Sequence, residues 1–138
     1  MKIYYREKSG GIEILRCFGI EGRVEIPGMI DDKLVISAAP YAFSSHMDEK
    51  EDLKNASLWE VSDGLEFGRE EHVLAGNDVE EIVFPYTLKE IGRYIFYGCG
   101  NLKKLEFSDS LMQIGCGAFT GCHALEKLTV HMEQGKKS

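Results

Sequence analysis

The chain has 138 residues, a formal net charge of −7, and 43% hydrophobic and 28% charged residues. This is one domain of ordinary globular composition, which excludes a disordered, collagen-like or disulfide-dense chain. No apolar run nears the ~18 residues that cross a bilayer, the first residues lack the apolar core of a signal peptide, and the acidity argues against nucleic acid as partner.

Residues 1–23 are expected to form a hairpin cap: IYYRE, a turn at Ser9-Gly10-Gly11, then IEILRCF. Residues 24–46 read as a degenerate repeat, in which Val24, Ile26 and Pro27 match Ile82, Phe84 and Pro85 further on. Five extra residues surround a turn at Ile30-Asp31-Asp32-Lys33. Residues 47–78 read as one more degenerate coil carrying an acidic insertion, with Leu74 as its interior plug. The stretch 47–81 holds twelve acids and three bases, a net −9. It is expected to be a solvated loop, the alternative being a docking patch for a basic partner.

Residues 79–101 and 102–124 then repeat at an offset of 23 without a gap. Seven of the 23 positions are identical, including Phe84/Phe107, Ile91/Ile114, Gly92/Gly115, Phe96/Phe119 and Cys99/Cys122. About one or two identities would arise from composition. Residues 125–138 start a third copy, with Leu125, Leu128 and Val130 in register, and pass into a polar tail. Each unit predicts a short strand, a return, and a short helical turn that plugs the interior with Phe96 or Phe119. Gly92 and Gly115 are expected to supply a backbone angle that other residues resist. One coil cannot bury its own apolar side, whereas stacked coils bury a continuous core with their strands parallel. The predicted fold class is therefore a β-rich solenoid with short parallel strands, short helical turns and an N-terminal β-hairpin cap.

The pattern LxxIxFxxxLxxIGxxAFxGC resembles the BspA-like, or Treponema-type, leucine-rich repeat family. The stretch from Gly10 to Phe43 resembles the hairpin and first repeat that open such arrays. Ala38 and Ile95 depart from the pattern, standing where the family has Ile and Ala. The resemblance covers about residues 10–130. It implies binding or adhesion through a repeat surface and brings no catalytic residues with it. Many members of the family are exported, but the signal for that is not read here.

Other chemistry finds little support in the residue types. Cys99 and Cys122 stand one repeat apart and should form a buried ladder, and zinc would need two further ligands. Cys116 is the candidate exposed thiol and has no activating neighbour in sequence. His46, His72, His123 and His131 are scattered, with no HExxH or GxSxG around them. Trp59 and Tyr86 are candidate surface anchors, Trp59 being the one more readily placed in the core. No catalytic, cofactor-binding or metal-binding residue is assigned.

The outward face of the strands remains. Stacking places Glu80, Lys103 and Glu126 in one row, Glu81, Lys104 and Lys127 in a second, and Val83, Glu106 and Thr129 in a third. The candidate partner-binding residues are Glu81, Val83, Lys103, Lys104, Glu106, Lys127 and Thr129. The expected function is a non-enzymatic, cytoplasmic module that binds or scaffolds another protein. The alternatives are a surface adhesin fragment and a thiol- or metal-dependent enzyme. The apolar third strand is also expected either to continue into further coils or to pair in a homodimer.

Overall fold

The computed structural model describes residues 1–46, 53–61 and 70–132. Strands β1 (Lys2–Lys8) and β2 (Gly11–Gly19) run antiparallel with Lys8 opposite Gly11. Only Ser9 and Gly10 remain to turn the chain, both with positive φ (51° and 80°). Such two-residue turns match the twist of the strands they join. The chain continues through β3 (Arg23–Glu25), β4 (Met29–Ile30) and β5 (Lys33–Ala38). Asp31 and Asp32, again at positive φ, join β4 to β5 as a second small hairpin. That hairpin takes up the five extra residues of the repeat at 24–46.

Next come β6 (Ser57–Glu60), β7 (His72–Val73), β8 (Glu81–Val83), β9 (Glu90–Ile91), β10 (Lys104–Ser108), β11 (Gln113–Ile114) and β12 (Lys127–His131). Two sheets line the solenoid. One is parallel, in the order β12-β10-β8-β3; the other runs β11-β9-β5-β2-β1-β6. Each coil gives one strand to either sheet, and the 23-residue offset sets the register. Glu81 faces Lys104, which faces Lys127. Among the described residues no helix is long and apolar enough to cross a membrane.

Of three expectations, the first and third need correction and the second becomes more specific. First, the described parts of 47–78 do not form a stacked coil. β3 pairs directly with β8, Val24 opposite Ile82, and Ile26 N donates to Val83 O at 2.9 Å. An intervening coil would hold those strands two spacings apart, about 9.5 Å. Instead β6 pairs antiparallel with β1 and β7 antiparallel with β2, so the segment wraps the hairpin. Leu74 is buried as expected. Part of the acidic stretch, 47–52 and 62–69, lies outside the described residues.

Second, the helical turns are single hydrogen-bonded turns. Tyr97 N donates to Tyr94 O and Cys99 N to Phe96 O, at 3.1 and 2.9 Å. Their remaining polar groups bond to the next coil. Tyr41, Phe43 and Ser45 N donate to Arg93, Ile95 and Tyr97 O, and Tyr94, Phe96 and Gly98 N repeat this to Cys116, Ala118 and Thr120 O. Backbone satisfaction is thus shared between coils rather than kept within a helix.

Third, Gly92 and Gly115 are not at positive φ. They are needed for closeness. A Cβ on Gly92 would lie 2.6 Å from Pro40 Cα and 2.7 Å from Ala39 C, and one on Gly115 would lie 2.5 Å from Gly92 C. The coils touch backbone to backbone at these glycines.

The core is a set of ladders running through the coils. Val24, Ile82 and Leu105 form one, Ala38 and Ile91 another, Phe43 and Phe96 a third, all buried. The Phe43 and Phe96 rings stack at 6.2 Å, and Phe119 follows at 5.7 Å. Toward the last described strand each ladder surfaces: Ile114 in the 102–124 coil and Leu128 in the next copy are half exposed, and Phe119 is only partly buried, not the enclosed plug expected.

Candidate functional site: the outward face of the parallel sheet

Side chains alternate across a strand, so the residues between the core positions of β3, β8, β10 and β12 share one outer face. Pairing gives two rows. The first is Arg23, Glu81, Lys104, Lys127; the second is Glu25, Val83, Glu106, Thr129. Six of the seven candidate residues fall in these rows. Lys103 lies in the turn just ahead of β10, where its carbonyl accepts from Glu126 N at 2.9 Å. Arg23, Glu25 and His131 belong to the face and were not among the candidates. The match of Val24 to Ile82 held the signal for the first two, since their outward neighbours share that register.

Charge is unevenly compensated along the face. Arg23 Nη1 bonds to Glu25 Oε2 at 3.0 Å, Arg23 Nε lies 3.5 Å from Glu81 Oε2, and His131 Nε2 lies 3.2 Å from Glu106 Oε2. Among the described residues no ion pair reaches Lys103, Lys104 or Lys127. Lys104 stands directly opposite Lys127. Like charges facing across strands repel, so Lys104 and Lys127 make this end of the sheet basic, with Glu81 facing Lys104 from the other side.

The second sheet carries its own row, Glu13–Ser37–Glu90–Gln113, along a cleft of about 230 Å³. Glu13 is 1% exposed. Arg6 Nε bonds to its Oε1 at 2.7 Å, and Lys8 Nζ and Ser37 Oγ reach its Oε2 at 3.0 and 2.8 Å. Lys8 also pairs with Glu90. That contact holds the Lys8 ammonium above its usual range and the Glu90 carboxyl below its own. A lowered carboxyl adds stability above its unfolded value and loses it as pH falls; a raised ammonium adds stability below its unfolded value and loses it as pH rises. Both acids are answered from within, so the cleft is a clamp between hairpin and coils.

The thiols repeat the coil geometry. Cys99 Sγ lies 3.1 Å from Phe43 O, and Cys122 Sγ lies 3.5 Å from Phe96 O, one coil later. Burial pushes the Cys17 and Cys99 thiols up to about 12, whereas Cys116 is exposed. A thiolate is the reacting form. Titration with a thiol reagent should therefore label Cys116 at once and leave Cys17 and Cys99 unlabelled until denaturant is added. Fast labelling of Cys99 in the folded protein would contradict the ladder. Of the candidate anchors, Tyr86 is largely exposed, while Trp59 packs partly against the core.

Coils in register and two lateral sheets define a β-solenoid of the leucine-rich repeat class. The family described as "BspA type Leucine rich repeat region (6 copies)" matches residues 70–136, and that stretch belongs to it. The fold is similar to the crystal structure of a T. pallidum leucine-rich repeat protein, TpLRR. The TM-score is 0.66 at 23% identity, over 91% of this chain and 46% of that one. The chain thus spans just under half of that protein's length, and the likeness is one of fold. No curated protein matches the sequence. Repeats of this family suggest a protein-interaction or scaffolding module, and folds of this kind are generally non-enzymatic.

Proposed function

We propose that the chain is a non-enzymatic binding module whose parallel sheet docks an acidic segment of a partner protein. The observation that carries this is the pair Lys104 and Lys127, opposed and unpaired, with Lys103 beside them, on a chain of net charge −7. Were the face only solubilising, cross-strand pairs of opposite sign would serve it better, as Arg23 and Glu81 do at the other end. Glu81, Val83, Glu106 and Thr129 complete the contact face. A reducing compartment such as the cytoplasm fits this reading, and the free thiols support it.

Reversing Lys103, Lys104 and Lys127 to Glu together tests it. Capture of protein from a lysate of the source cells should fall about tenfold or more and should weaken with salt. The melting temperature should stay within a degree or two, because no ion pair among the described residues reaches these lysines. Neutralising Asp48, Glu49, Glu51 and Asp52 should change capture little. Capture that tracks those acids and ignores the lysines would refute the sheet as the site.

A further inference from the structure

On the flank of the coils, away from both sheets, Tyr41, His46, Tyr94 and Tyr97 line a cavity of about 260 Å³. Tyr41 and Tyr94 occupy the same place in two coils, and their rings stack with centroids 5.6 Å apart and planes 20° apart. Tyr97 stands edge-on to Tyr94 at 6.0 Å, and His46 edge-on to Tyr41 at 6.0 Å. The His46 backbone is fixed by a bond from its N to Ser44 Oγ at 2.9 Å. The stack is thus a floor, with Tyr97 and His46 as its walls.

The backbone beneath it is strained. Tyr41 and Tyr94 have φ of 62° and 52°, in the left-handed region where bulky side chains are rare. The next coil has Gly117 at this place, with φ of 68° and no such strain. A Cβ on Gly117 would press on the Tyr94 ring, 2.6 Å from Cδ1, so the glycine also makes room for that ring. Glycine would meet the fold's need at all three places. Two tyrosines held there at a cost point to a use for their rings.

We infer that this cage binds a quaternary or fully methylated ammonium group. Aromatic rings wall the cavity, and among the described residues no carboxylate, amide or guanidinium lines it. A sugar needs directed hydrogen bonds beside its stacking surface. A methylated ammonium needs none, and is attracted by the ring quadrupoles. The volume falls below that of a drug-sized pocket, which suits a head group rather than a whole ligand. The net charge of −7 favours a cation over an anion.

Choline and trimethyllysine present the same head group from two sources, a free small molecule and a modified side chain. Each should be titrated by NMR against the tyrosine ring resonances, beside the neutral tert-butyl isostere of choline in which carbon replaces nitrogen. Saturable shifts of the Tyr41, Tyr94 and Tyr97 rings are expected, with the isostere at least about fivefold weaker. The tighter of the two cations then names the source. Tyr97→Ala, at an exposed position, should weaken the cation about fivefold or more and leave the melting temperature unchanged. Equal binding of the isostere, absence of a saturable shift, or an unaffected Tyr97→Ala variant would overturn the assignment.

Discussion

Phe96→Ala is expected to cost about 3–5 kcal/mol in a denaturant melt, the range for emptying a large core site. The ring has no solvent exposure and touches Phe84 in its own coil and Phe43 and Phe119 in the neighbouring ones. Backbone bonds to the next coil hold the turn around it, so the site cannot collapse inward to fill the void. The same change at Phe119 should cost about 1–2 kcal/mol, because that ring already meets solvent on one side. Equal losses at the two positions would contradict the graded burial along the stack.

Gly92→Ala should cost about 3 kcal/mol or more, above the usual range for one added methyl group in a core. The new carbon meets Pro40 and Ala39 main-chain atoms of the preceding coil, which have no rotamer to yield. The coils must part, and the bonds from Gly92 N to Ala38 O and from Tyr41 N to Arg93 O stretch with them. Gly10→Ala is the control. That glycine sits at φ of 80° with nothing within 4 Å, so only the backbone angle is penalised, by roughly 1–2 kcal/mol. If the two variants lose the same stability, crowding is not the reason for Gly92.

The contrast explains what was readable in the sequence. The offset of 23 gave the register of β8, β10 and β12, because stacked coils oblige equivalent residues to align. It also showed that a glycine recurs at 92 and 115. It could not say which of glycine's two properties was wanted, since both leave the same letter. The hairpin was legible through its Ser9-Gly10 turn, and the insertion through Asp31-Asp32. The segments around Trp59 and His72 were misassigned because two- to four-residue strands carry no periodicity. Their pairing with β1 and β2 is a long-range choice that local pattern does not encode. Within the candidate face, Arg23 and Glu25 could have been found by carrying the Val24 register outward. The tyrosine cage could not. Alignment puts Tyr41 beside Tyr94, but that their rings stack, and that Tyr97 and His46 turn in to wall them, depends on left-handed backbone angles that the letters do not announce.

The shared register has a consequence for the repeat number of such a chain. β8 presents to β10 the same edge that β3 presents to β8, and β10 presents it again to β12. Excising or duplicating one 23-residue unit would therefore bring matching edges together, glycine against main chain and phenylalanine against phenylalanine. The matching edges would accommodate a change in the number of units. The hairpin is not interchangeable in this way: β2 meets a coil through β5 on one side and pairs antiparallel with β1 and β7. It is the element on which the first coil is seated, through β5.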